Sequence, residues 1–127
     1  MTLEHEEQVG LFEWIDRMET AYPLLGLAFA IPNGGFRHIT TAKKLKAEGV
    51  RAGVPDVFLA YPSSFAHGLF IEMKVGKNKP TENQLKWHEK LRAVGYHVAV
   101  CYSWTEAAFM ICDYLGLPKN IIPEALK

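Results

Sequence analysis

The 127-residue sequence predicts an α/β fold, a central mixed β-sheet flanked by helices. Three observations predict it. Amphipathic stretches of helical period alternate with short β-prone runs along the chain. Two matches to the Ser/Thr-x-x-Glu/Gln helix-start pattern, Thr81-Glu82-Asn83-Gln84 and Ser103-Trp104-Thr105-Glu106, set helices on either side of the β-prone residues 96–102. Residues 54–61 and 69–75 are two further β-prone runs, joined through Pro62-Ser63-Ser64, and read as an antiparallel pair.

Each element follows in order. Between residues 3 and 20, Val9, Leu11, Phe12, Trp14, Ile15 and Met18 recur at helical spacing. Residues 27–31 are a short apolar run ended by Pro32-Asn33-Gly34-Gly35, a strand and its turn. Residues 40–48 form a short basic helix stopped by Gly49, and the strand pair follows. The helix opened at Thr81 runs to about 94, with Gly95 as its stop; residues 96–102 are expected as a central strand. The last helix ends at Gly116-Leu117-Pro118. The predicted order is α-β-α-β-β-α-β-α. With no repeats or linkers and a hydrophobic share of 49%, residues 1–127 are expected to form one domain, with 118–127 a loosely packed tail.

No apolar run approaches the roughly 18 residues of a membrane span, and the opening Met1-Thr2-Leu3-Glu4-His5-Glu6-Glu7 lacks the features of a signal peptide. A cytoplasmic protein without membrane contact is expected. Cys101 and Cys112 fit neither a zinc site nor a redox pair and are expected as buried thiols. Net charge is zero, with 14 basic and 14 acidic residues, so bulk charge alone argues mildly against a nucleic-acid partner. The distribution is polarised: acids concentrate in 4–19, whereas Arg37, Lys43, Lys44, Lys46 and Arg51 are opposed only by Glu48, a pattern that suits a phosphate partner and equally a solvated charged face.

The chemistry is carried by two strands. Gly53-Val54-Pro55-Asp56 enters one, and Ile71-Glu72-Met73-Lys74 lies in the next. Alternation puts Glu72 and Lys74 on one face and Ile71, Met73 and Val75 on the other, apolar, face. Two carboxylates and a lysine on one patch of an apolar sheet suit a hard divalent cation such as Mg²⁺, with Asp56 and Glu72 as ligands and the Met73 carbonyl as a further oxygen. Lys74 would orient or help deprotonate an attacking water. Hydrolysis of a phosphodiester fits these parts best.

Pro55-Asp56, then Glu72-x-Lys74, resembles the PD-(D/E)xK nuclease superfamily. The fuller run from Glu48 through Gly53-Val54-Pro55-Asp56, followed by Leu69-Phe70-Ile71-Glu72-Met73-Lys74 and Thr81-Glu82-Asn83-Gln84, resembles its virus-type replication-repair nuclease branch, VRR-NUC, over residues 4–105. The resemblance implies a restriction-endonuclease-like α-β-β-β-α-β core, Mg²⁺ or Mn²⁺ dependence and action on branched DNA such as flaps or junctions. It also implies a phage or bacterial replication or repair setting and a homodimer like that of junction resolvases. The family carries an acidic residue on its first helix. Glu4, Glu6 and Glu7 compete for that role, and Glu4 is favoured because Glu4, Gln8, Phe12 and Ile15 share the core-facing stripe. Gln84 completes a capping box, and in the related pattern the equivalent glutamine reaches the active site.

For DNA-backbone contacts the expected residues are Arg37, within Asn33-Gly34-Gly35-Phe36-Arg37, and Lys43, Lys44, Lys46 and Arg51. His88 and His97, in no ligand-like spacing, are expected at the surface, and Trp87 in the core. The competing readings are a catalytically silent DNA-binding or assembly module and a restriction-type endonuclease. The intact Asp, Glu and Lys oppose the first. The short chain leaves little room for a base-reading domain and opposes the second.

Overall fold

The structure, a computed structural model, describes residues 3–32 and 39–123. Helix α1 (Leu3–Met18) leads through a 3-10 turn (Pro23–Leu27) into β1 (Ala28–Ala30); α2 (Ile39–Ala47), β2 (Val57–Leu59), β3 (Leu69–Met73), α3 (Glu82–Ala93), β4 (His97–Cys101) and α4 (Trp104–Leu115) follow. The four strands form one mixed sheet in the order β1-β2-β3-β4, antiparallel except for the β3/β4 pair. This is the expected α/β architecture. The described strands are shorter than the β-prone runs. Before β2, Pro55 has no N–H to give to a ladder, so pairing stops at Val57 opposite Ile71.

Alternation along the strands divides the sheet into two unlike faces. Val57, Leu59, Leu69, Ile71, Met73, Ala99 and Cys101 form one core with Leu11, Trp14 and Ile15 of α1 and Ala107, Ala108, Ile111 and Cys112 of α4. Truncating a fully buried member such as Ile71 to alanine would cost about 2–5 kcal/mol. On the other face Phe58 lies 4.4 Å from Phe70 and 5.9 Å from Tyr96, and beyond these aromatics come Glu72 and Lys74. Helix α3 is on this side, and the only one of its side chains that is fully buried is His88. A helix that spends its inward face on a histidine is placed there for polar contacts.

Both helix-start patterns are at work. Thr81 accepts from the Gln84 N–H while Gln84 Oε1 accepts from the Thr81 N–H at 2.8 Å, the full capping box. Ser103 accepts from the Glu106 N–H at 3.1 Å. Helix α4 closes at Gly116, whose φ of +72° lies in the left-handed region, and the Leu117 N–H reaches back to the Cys112 carbonyl.

Two expectations need correction. The 96–102 run is an edge strand of the described sheet, not a central one: the α3 crossover lays β4 parallel to β3 on the outside, and helix packing on its faces explains its apolarity. Residues after Pro118 are not loosely packed as far as Ile122. Lys119–Ile121 form a 3-10 turn, the Ile121 carbonyl accepts from Trp14 Nε1 at 3.0 Å, and Leu117, Ile121 and Ile122 pack on the core. Residues 124–127 lie outside the described part. Cys101 and Cys112 are free, buried thiols, as expected. No helix among the described residues is long and apolar enough to cross a membrane.

Candidate active site

The site forms where the β2/β3 ladder runs out. Met73 has no strand partner on the β2 side, and its N–H donates instead to Asp56 Oδ2 at 2.8 Å. The Asp56 backbone carbonyl is held from the other side by the Ile31 N–H at 2.8 Å. A strand residue's N–H and C=O leave the same edge, so the Met73 carbonyl faces the Asp56 side. The Lys74 N–H, pointing the opposite way, bonds the Cys101 carbonyl of β4.

Glu72 is 1% exposed. Gln84 Nε2 donates to its Oε2 at 3.2 Å, and His88 Nε2 lies 3.3 Å from its Oε1. Burial, then the charge of Asp56 and a hydrogen bond between the two carboxyls, push the Glu72 carboxyl up to about 9; Lys74 opposes the shift and Glu4 adds to it. Together these influences favour the neutral form of the Glu72 carboxyl. Burial also lowers the His88 pKa, with Arg92 and Lys74 acting the same way, so its imidazole is neutral. Its contact with Glu72 is therefore a hydrogen bond and not an ion pair. Lys74 is buried, on the same face as Glu72, and its charge reaches both Glu72 and His88.

The structure brings Asp56, Glu72, Lys74 and Gln84 together, with Met73 supplying backbone. One end of the Gln84 amide caps α3 and the other donates to Glu72. Among the acids of α1, Glu4 is half-buried and its charge acts on Glu72, whereas Glu6 is exposed. Glu7 is engaged elsewhere, accepting from the Trp104 N–H at 2.6 Å at the start of α4. Lys43, Lys44, Lys46 and Arg51 are exposed on and just after α2. Arg37 and its glycine turn lie outside the described residues.

His88 was expected at the surface, and the structure buries it against Glu72. The signal was present in the sequence. Gln84 and His88 are four apart on a helix, so a face that brings one to Glu72 brings both. His97 is partly buried, its ring 5.9 Å from Phe65. Trp87 is half-buried beside α2 and is not among the core residues.

The donor set fits a divalent cation. Two neighbouring carboxyls, one of them pushed toward its neutral form first by burial and then by the other's charge, are an arrangement that a cation relieves in place of a proton. All the available donors are oxygens, which suits a hard ion keeping several waters. Among the described residues no group of three or more His, Cys, Asp or Glu side chains is placed to hold a metal ion.

The VRR-NUC domain family model matches residues 8–104. Among solved structures, one described as a VRR_NUC domain protein is 28% identical and superposes with a TM-score of 0.76, over 92% of this chain and 91% of that one. No curated protein sequence matches the chain significantly. Glu4 lies ahead of the span matched by the family model, and its charge acts on Glu72.

Proposed function

The chain belongs to the VRR-NUC family, nucleases of the PD-(D/E)xK type that act on DNA, and on that premise we propose that it is a Mg²⁺-dependent, structure-selective endonuclease of branched DNA. The observation that carries the reading is the acidic pair Asp56 and Glu72 at the open end of the β2/β3 ladder, with Lys74 on the same face. Asp56, Glu72 and the Met73 carbonyl would hold Mg²⁺ or Mn²⁺, which when bound supplies Lewis-acid stabilisation of charge on the phosphoryl group and lowers the pKa of water.

The chain's own residues divide the remaining work. Lys74 orients the attacking water and offsets negative charge as the phosphorus–oxygen bond breaks. Glu4, from α1, supplies a further acceptor on the edge of the site. Gln84 and His88 fix both oxygens of Glu72, and a neutral His88 does so without a charge that would repel a cation. Lys43, Lys44, Lys46 and Arg51, with Arg37, grip phosphates and set the register of the DNA.

One such site cuts one strand, and two paired incisions across a junction need a second copy of the site. A two-fold homodimer supplies it. A bacterial or phage replication or repair role is the setting that such an activity suits. The test is a substrate panel of duplex, flap, splayed arm and four-way junction, incubated with Mg²⁺ and analysed alongside sedimentation at micromolar concentration. Preferential cutting of a branched substrate by a dimer is expected. Equal cutting of plain duplex, or a strict monomer that resolves junctions symmetrically, would refute the branched-substrate or the dimer part respectively.

A further inference from the structure

A cleft of about 580 Å³ lies between α2 and α3, on the flank of α3 turned away from Glu72. That volume is in the range of sites for small organic ligands. Leu45 and Val50 give it an aliphatic floor, Trp87 an aromatic wall, and Lys46, Arg51 and Lys90 a cationic rim. Among the described residues no acidic side chain lines it; Glu48 lines the neighbouring groove with Ile31 and Val54.

The indole is held in place by the chain. Gly53 has a φ of +94°, and a Cβ there would stand 2.9 Å from Trp87 Cδ1 and 2.5 Å from Asn83 Nδ2. Asn83 Nδ2 donates to the Ala52 carbonyl at 2.9 Å, tying the loop to α3. One edge of Trp87 is thus fixed against the loop, while the side chain as a whole stays half-buried. Lys90 Nζ sits over the ring, 5.5 Å from its centroid. Along the chain the cleft's elements run close to the acidic site: Gly53 is three residues before Asp56, and Trp87 precedes His88.

An aromatic wall beside cations, without an acid, selects a flat π-system carried on an anionic chain. A bare phosphate would make no use of the indole, and an uncharged aromatic would make no use of three cations. Bases inside a duplex present their edges and keep their faces stacked. An unpaired one offers its face. We propose that this cleft receives an unpaired nucleotide of the DNA substrate, its base against Trp87 and its neighbouring phosphates on Lys46, Arg51 and Lys90. The inference rests on the nuclease reading above for the identity of the polymer.

The test measures binding of an oligothymidylate of about 12 nucleotides, a length within the usual single-strand site range, and of a blunt duplex of equal length, by fluorescence anisotropy in EDTA. Trp87→Leu, which keeps apolar bulk but removes the stacking face, should weaken single-strand binding about ten- to a hundredfold and duplex binding by less than about twofold. Trp87→Phe should restore most of the single-strand affinity, and Lys46→Ala with Arg51→Ala should flatten its salt dependence. Unchanged single-strand affinity in Trp87→Leu, or an equal loss on both DNAs, would overturn the proposal. Nicking of supercoiled plasmid by the wild-type chain in Mg²⁺ is read in parallel. Trp87-dependent single-strand binding without nicking would sink the nuclease reading and leave the cleft standing, and the reverse result would do the opposite.

Discussion

Glu72→Gln should stabilise the metal-free protein while destroying the activity. Glu72 is buried, and its carboxyl is raised from 4.5 to about 9 by burial first and by Asp56 next. A raised folded-state pKa favours the folded state below about pH 4.5, and that advantage is lost progressively as the pH climbs toward 9. At about pH 7.5 the gap spans about 3 pH units at about 1.4 kcal/mol each, an upper bound of about 4 kcal/mol. Relaxation around the site and entry of water reduce this to about 2 kcal/mol, or roughly 5–10 °C in Tm for a chain of this size. Glutamine keeps the shape and still meets Gln84 and His88 but never ionises. The assay is thermal unfolding of both proteins in EDTA at about pH 5 and pH 7.5. The variant should melt higher at pH 7.5, and the two should converge at pH 5. Equal melting at both pH values, or a variant less stable at pH 7.5, would refute the account of Glu72 as a buried carboxyl strained by its neighbour.

Other expectations follow from the same geometry. His88→Ala should raise the Mg²⁺ concentration needed for half-maximal cleavage about 10- to 100-fold, with partial rescue by His88→Gln; an unchanged metal titration would remove His88 as a positioning residue. Lys43→Glu with Lys44→Glu should weaken DNA binding and lower the salt slope by about two charges while leaving that metal titration unmoved; a shift in the metal requirement instead would place these lysines in the wrong role. Burial pushes Cys101 up to about 12 and Cys112 up to about 11. A thiol reagent at about pH 8 should therefore modify both only after denaturation, and rapid labelling of the native protein would contradict their burial.

Much of this arrangement is legible in the sequence because it depends on local rules. The Thr81 capping box and the shared face of Glu72 and Lys74 follow from spacings of three and two residues, and the antiparallel pairing of β2 with β3 from their short connection through Pro62-Ser63-Ser64. What escaped was non-local. The side of β3 on which β4 lies is decided by the α3 crossover, not by the apolarity of residues 96–102. His88 lies in a helix with few apolar residues, and such a helix reads as solvated until Glu72 is seen beneath it. Ile121 and Ile122 show no period of their own, and only the Trp14 indole facing them reveals why the chain returns to the core. Trp87 reads as core from its bulk alone, and the cleft beside it exists only once α2 has packed next to α3.

As proposed, Asp56 and Glu72 together would form the metal-binding centre of a DNA-cutting site. The most direct test of this is nicking of supercoiled plasmid by the wild-type chain and by Asp56→Asn, each in Mg²⁺ and in excess EDTA. Nicking by the wild-type chain in Mg²⁺ alone is expected, and none by Asp56→Asn, with circular dichroism showing both proteins folded. Cleavage that persists in EDTA, or in Asp56→Asn with Mg²⁺ present, would contradict it.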